Sequence, residues 1–256
     1  MLQIYDKVII TDPFFTDFIG QIQKRIVEPG IDLKYLDKCD LILISHSHFD
    51  HCNLSSLKML EEKFPDAYLI YPKGVEEFLP GLDFNAFAFK TGSDKAYIGE
   101  TKIIDGMEIT SVHAYHWGGR FGIDGLLWGY DGYCGFIIKY KDVTVYFSGD
   151  TSYDENFYKY LGRNYKIDLD ILPIGPCSDC YKIDKKNRHV YPKGVLKILE
   201  DTKAKFMIPV HYGTISELSE PDYPKVVLEE LISGNPAQKE KVKILDPGGQ
   251  IILYSE

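Results

Sequence analysis

The sequence predicts a layered domain that mixes α and β structure, in an α/β or α+β arrangement. Strand-like runs rich in Ile, Val, Tyr and Phe recur along the chain, and stretches with helical apolar spacing interrupt them. A third observation, CGFIIKYKDVTVYFSGD, reads as two strands joined at a short turn and so argues against purely parallel winding.

Taken in order, the strand-like runs are KVIITD, CDLILIS, AYLIYP, EITSVHA, CGFIIKY, VTVYFSGD, LDILPIG, KFMIPVH and QIILYS. A first helix is predicted where Leu54, Leu57, Leu60 and Phe64 recur every three or four residues, with Asn53 as its N-cap. Pro192 suits the first turn of a second helix, PKGVLKILED, whose stripe is Val195, Leu196 and Leu199. YPKVVLEELIS is a third. No internal repeat, low-complexity tract or linker marks a boundary, so residues 1–256 are read as a single domain. Two stretches exceed ordinary connections: HWGGRFGIDGLLWGYDGYCG, whose aromatic-rich run from Trp117 to Tyr133 is read as a lid, and GPCSDCYKIDKKNRH.

Composition narrows the class of function. No segment approaches the roughly 20 apolar residues of a membrane span, and the N-terminus lacks the pattern of a secretory signal. The formal charge of −9 repels polyanions, which makes nucleic acid a poor partner. Five cysteines, with no secretory signal, fit a reducing cytoplasm, and Cys177 and Cys180 are read as loop thiols. Cys52 is expected to pack at a helix start.

The chemistry concentrates in SHSHFDHCN, between a strand and a helix. His46, His48 and His51 offer imidazole nitrogens and Asp50 an oxygen, a mixture that suits zinc and other transition metals rather than magnesium or calcium. His116, Asp150 and His211 sit at the ends of three further strand-like runs and can meet the same point. Seven side chains exceed one tetrahedral site, but a bridging carboxylate can divide them between two cations. His113, three residues before His116, is expected on the opposite face and so outside the ligand set.

His46-x-His48-x-Asp50-His51 resembles the His-x-His-x-Asp-His signature of the metallo-β-lactamase-fold hydrolases, and His116, GDT around Asp150 and His211 follow in the family's order. The resemblance implies an α+β fold, an αββα four-layer sandwich of two facing mixed sheets with outer helices. It also implies His46, His48 and His116 around one metal, Asp50, His51 and His211 around another, and Asp150 bridging them. TDP is similar to an early family motif, which gives Asp12 the role of orienting a ligand histidine. The stretches LILISHSHFDH, HWGGR, SGDTSYDENF, LPIGPC, RHVYPKGVLKI and IPVHYGT resemble the N-acyl phosphatidylethanolamine phospholipase D and L-ascorbate-6-phosphate lactonase subgroup. That likeness implies a substrate contact at His189. Arg120, in HWGGR, is read as a second one through its planar guanidinium.

The expected function is therefore a cytoplasmic binuclear hydrolase holding two divalent transition metals, Zn2+ first and Mn2+ or Fe2+ next. A metal-bridging hydroxide attacks a small-molecule or lipid-like phosphodiester, with Asp50 and Asp150 as catalytic carboxylates; a phosphorylated sugar lactone is the alternative substrate. Three rivals fit less well. Flavodiiron proteins of this fold carry a glutamate where this chain has His48, RNA-processing nucleases conflict with the acidic balance, and a metal-binding protein without turnover need not keep all seven ligands.

Overall fold

The computed structural model describes residues 1–20, 23–120, 132–177, 179–183, 189–215 and 220–253. Its first sheet is built from β1 (Leu2–Ile4), β2 (Lys7–Thr11), β5 (Leu41–Leu43), β6 (Tyr68–Pro72) and β7 (Asn85–Phe89), in the order β1-β2-β5-β6-β7. The short pair β3 (Phe18–Ile19) and β4 (Gln23–Lys24) stands apart. The second sheet contains β8 (Ile98–Ile104), β9 (Met107–Val112), β10 (Gly135–Tyr140), β11 (Val143–Phe147), β12 (Leu169–Pro173) and β13 (Phe206–Val210), ordered β13-β12-β11-β10-β9-β8. Five α-helices are described: α1 (Leu54–Lys63), α2 (Glu155–Asn164), α3 (Pro192–Thr202), α4 (Tyr223–Ser233) and α5 (Pro236–Lys241).

Strand alternation builds the layers. Ile9, Leu41, Leu43 and Ile70 of the first sheet share one buried cluster with Phe136, Ile138, Val145, Phe147 and Ile171 of the second, so these faces meet. Their neighbours point the other way. Ile10, Ile42 and Leu69 pack on Leu57 and Leu60 of α1, while Ile137, Tyr146 and Leu172 pack on Phe157, Leu161, Val195 and Leu228 of α2, α3 and α4. Helix, sheet, sheet and helix therefore stack in the four layers of an αββα sandwich. Strands buried on both faces explain why the sequence shows continuous apolar runs instead of clean alternation.

The helix signals act as read. Asn53 Oδ1 accepts from Ser56 N at 2.9 Å at the start of α1, and Pro192 occupies the first turn of α3. α2, which went unread in the sequence, carries the equivalent cap, Asp154 accepting from Phe157 N at 2.8 Å, and buries Phe157, Tyr158 and Leu161 along one stripe. β10 and β11 pair antiparallel around the two-residue turn Lys141–Asp142, with Lys141 in the left-handed region at φ 54°. Of the expected strand QIILYS, residues 250–253 form no strand and Ile252 is 84% exposed, while the final Tyr and Ser lie outside the described residues. The strands β7 and β8 went unread. β7 carries Ala86 and Ala88, poor strand formers, and β8 carries Gly99, Glu100 and Lys102, which dilute the apolar and β-branched signal of a strand.

Direction is what places a site. β2, β5, β6 and β7 run parallel to one another, as do β11, β12 and β13. β9 and β11 both run antiparallel to β10 and so share a direction. The C-terminal ends of these strands meet at one rim, where ligands of layered folds characteristically bind.

Between β12 and α3, Asp170 is fully buried. Its Oδ2 accepts from Thr202 Oγ1 at 2.6 Å, and its Oδ1 has no partner among the described residues. Burial pushes its carboxyl up to about 7, with the Thr202 hydrogen bond opposing only in part. The folded state then holds a proton that the unfolded state, at about 3.9, releases first, so stability falls as pH rises from about 4 to about 7. Asp170→Asn, which mimics the protonated carboxyl, should flatten that slope and raise stability at pH 8, as measured by urea unfolding at pH 5 and pH 8.

Candidate metal centre

The seven expected ligands and Asp12 all lie beyond the ends of strands. Asp12 follows β2 directly, the segment Ser45 to His51 follows β5, Asp150 follows β11 and His211 follows β13. His116 lies four residues beyond β9. Asp12 at φ 42° and His211 at φ 63° adopt the left-handed backbone, unusual for residues other than glycine, which turns each side chain out of its strand direction. Gly149, at φ 57°, has a different duty: a Cβ there would lie 2.3 Å from Ser45 Cβ, so only glycine lets the Asp150 segment approach the histidine-rich loop.

The side chains converge in two groups. His46 Nε2 lies 2.8 Å from His48 Nδ1, and His116 Nε2 lies 3.3 Å from the same atom. In the second group His51 Nε2 is 3.1 Å from His211 Nε2, and Asp50 Oδ2 is 3.3 Å from His51 Nε2 and 3.2 Å from His211 Nε2. Asp150 Oδ2 joins both. It stands 3.9 Å from His46 Nε2 and His116 Nε2, and 3.3 Å and 3.5 Å from the Nε2 atoms of His51 and His211.

Hydrogen bonds orient these rings. His51 Nδ1–H donates to Asp12 Oδ2 at 2.6 Å, which turns the Nε2 lone pair toward the centre. The same carboxylate accepts from Ser45 Oγ at 2.6 Å, and Ser45 Oγ in turn accepts from His46 Nδ1–H at 2.9 Å. Asp12 thus orients one histidine of each group, one directly and one through a serine. His211 Nδ1–H donates to the carbonyl oxygen of Gly175 at 2.8 Å, leaving its Nε2 to face inward. The roles of Ser45 and Gly175 were not legible beforehand, because a serine and a backbone carbonyl carry no distinctive pattern.

The donor set fits a pair of transition-metal ions. With metal–nitrogen bonds of about 2.0–2.1 Å, a tetrahedral site separates its ligand atoms by about 3.3 Å, close to the spacings within both groups. Lone pairs facing one another at such spacings repel unless a cation lies between them. Asp150 Oδ1, in a residue 4% exposed, has no hydrogen-bond partner among the described residues, as expected of an atom awaiting an electrophile. Charge differs between the two groups: against the effect of burial, Asp150, Asp50 and Asp12 raise His51, and Asp150 and Asp50 raise His211 to about 9, so a cation seated there would displace protons from these two rings. Burial alone would raise Asp150, but the His211 and His51 imidazoles hold its carboxyl well below the usual range. Burial and the neighbouring His51, His48 and His116 rings keep His46 neutral, and burial lowers His48 to about 4, the state in which imidazole ligates.

The other predicted residues separate. His189 joins the centre, its Nδ1 3.7 Å from Asp150 Oδ2 and without a hydrogen-bond partner among the described residues. Arg120 is held against the histidine-rich loop. Its Nε donates to the Ser47 carbonyl and its Nη2 to the Cys52 carbonyl, both at 2.8 Å, and Phe49 and Phe78 lie 4.8 Å from the guanidinium carbon. Arg120 thus clamps the histidine-rich loop at both ends, a role the sequence did not signal. Cys177 and Cys180 are a correction to the thiol reading, since they form a disulfide buried beside Tyr191 and Val227. Cys52 is fully buried at the start of α1, and His113 is buried against Tyr115 and Phe157, outside the ligand groups. Most of the expected lid, residues 121–131, lies outside the described residues.

With this geometry in hand, comparison with known proteins places the chain. The Beta-lactamase superfamily domain matches residues 7–212, and the chain belongs to that family. More particularly, it is 28% identical to a UPF0173 metal-dependent hydrolase of Pelotomaculum thermopropionicum, across 96% of this chain and 93% of the relative. It is 30% identical to the mitochondrial N-acyl-phosphatidylethanolamine-hydrolyzing phospholipase D of Saccharomyces cerevisiae, across 80% of this chain but 44% of that protein's length. The fold matches that of a possible metal-dependent hydrolase from Veillonella parvula at a TM-score of 0.72 and 18% identity, over 98% of this chain and 95% of the other.

Asp12→Asn keeps the shape of the side chain but removes the charge that orients His51 and, through Ser45, His46. Zinc affinity measured by competition with a chromogenic chelator should fall roughly 10–100-fold, with the folded structure intact by circular dichroism.

Proposed function

We propose that this chain is a binuclear metal-dependent hydrolase of phosphodiesters. The observation that carries the reading is Asp150 Oδ2, a single carboxylate oxygen within 3.9 Å of ligand nitrogens from both groups. His46, His48 and His116 would hold one cation, Asp50, His51 and His211 the other, and Asp150 would bridge them. Bound there, two cations polarise the substrate's oxygens and lower the pKa of coordinated water from about 15.7 to about 7. Zinc suits the nitrogen-rich set best, with manganese or iron as the substitutes.

The chain's own groups then have distinct duties. Asp150 is buried with its Oδ2 faced by the imidazoles of both groups, so its duty is electrostatic. Asp50 is more open, its side chain 24% exposed at the edge of a cavity of about 370 Å³, and it accepts the proton that the attacking water gives up. His189, with its free Nδ1 beside Asp150, donates to a non-bridging phosphoryl oxygen and stabilises the charge that develops there. Asp12, Ser45 and Gly175 hold the ligand rings in place, which keeps reorganisation small during the reaction.

The relatives favour this substrate class. One is named for hydrolysing N-acyl-phosphatidylethanolamine, a phosphodiester, and the relative matched along nearly its whole length is named a metal-dependent hydrolase. No helix among the described residues is long and apolar enough to cross a membrane.

Metal analysis combined with a panel of bis-aryl phosphate, aryl phosphate monoester, lactone and N-acyl phosphatidylethanolamine micelles tests the reading. The wild type should hold close to two transition metals and cleave the diester in preference to the monoester. Asp150→Ala should lose metal and lower diester turnover roughly 100-fold or more. Unaltered turnover in that variant rejects the assignment. His189→Ala should retain both metals yet lower kcat roughly 10–100-fold.

A further inference from the structure

The cavity beside Asp50, His51 and His211 is walled largely by apolar side chains, among them Phe14, Ile19, Phe147 and Ile171. Among its described lining residues Arg25 is the one lysine or arginine. The backbone ties it to the metal side of the cavity, since Ile26 N donates to the carbonyl of Thr214, three residues beyond His211, at 2.8 Å. Arg25 is itself held firmly. Its Nε donates to the Val27 carbonyl at 2.6 Å and its Nη1 to the Phe14 carbonyl at 2.9 Å, while the guanidinium carbon lies 4.8 Å from the centre of the Phe14 ring. Nη2 has no acceptor among the described residues, and neither Asp17 nor Glu28, the acids nearest in charge, forms an ion pair with it.

A guanidinium fixed by two carbonyls, partly desolvated and lacking a carboxylate partner is a prepared anion receptor. One remaining terminal nitrogen, with two acids in its vicinity, suits a monoanion better than a dianionic phosphate. Resting on the hydrolase reading above, we propose that Arg25 binds a carboxylate on the substrate, remote from the scissile phosphodiester and joined to it by an apolar spacer lying in the cavity. A cavity of about 370 Å³ is the size of those that enclose small-molecule ligands, so the part of the substrate between the metals and Arg25 is small.

The test compares bis(4-nitrophenyl) phosphate with 4-nitrophenyl 4-carboxyphenyl phosphate on the metal-loaded protein; the two share the 4-nitrophenolate leaving group and differ by a carboxylate in place of the second nitro group. The wild type should favour the carboxylated diester roughly tenfold in kcat/KM, chiefly through KM, and Arg25→Gln should bring the ratio to about one. Arg25→Lys, which keeps the charge, should retain part of the preference. A purely structural role for Arg25 would lower both diesters together and preserve the ratio, which overturns the proposal. Calorimetry with benzylphosphonate and 4-carboxybenzylphosphonate reads the same discrimination without turnover. Cleavage of neither diester by the wild type, with carboxylate-dependent and Arg25-dependent phosphonate binding retained, defeats the hydrolase reading and leaves the anion site standing. Equal affinities of the wild type for the two phosphonates defeat the anion site alone.

Discussion

Common strand direction is the constraint on which the site depends. Side chains spread from position 12 to position 211 can meet only because β2, β5, β9, β11 and β13 all end at the same rim. A strand run in the opposite sense would carry its ligand to the far side of the sandwich. The crossovers fix that direction: α1 between β5 and β6, α2 between β11 and β12, and α3 between β12 and β13 lie in connections that return the chain to the starting end before the next parallel strand begins. Those helices pack on the outer faces of the sheets, so the rim inherits the rigidity of the layers beneath it.

On that rim the difficulty is electrostatic. Asp150 is withdrawn from water and faced by imidazoles on several sides, an arrangement that would be costly in a site meant to stay uncharged. The chain distributes the task of holding it. Asp12 governs two histidines, the Gly175 carbonyl governs a third, and the missing Cβ of Gly149 allows the loops to close. None of these supporting groups needs to touch a substrate, yet each fixes the direction of a lone pair.

How much of this was legible beforehand depends on how local the signal is. The histidine-rich loop, the cap at Asn53, the Pro192 helix start and the β10–β11 hairpin are encoded within a few residues and were read directly. The family resemblance supplied the four-layer architecture, which periodicity alone left open between α/β and α+β. Partnerships across the chain were not legible. Nothing near Arg120 says that its guanidinium meets carbonyls some seventy residues earlier, and Cys177 and Cys180 pair because the backbone turns between them, not because of any composition. Arg25, in a polar stretch without periodicity, gave no sign that it lines a cavity shared with His211.

The Arg120 clamp also bears on how the centre keeps its shape. Its grip on the Ser47 and Cys52 carbonyls, with Phe49 and Phe78 against the guanidinium, braces the histidine-rich loop from outside the ligand set. A change at any of these bracing residues would therefore reach the centre through the path of the loop, with every ligand side chain still in the sequence.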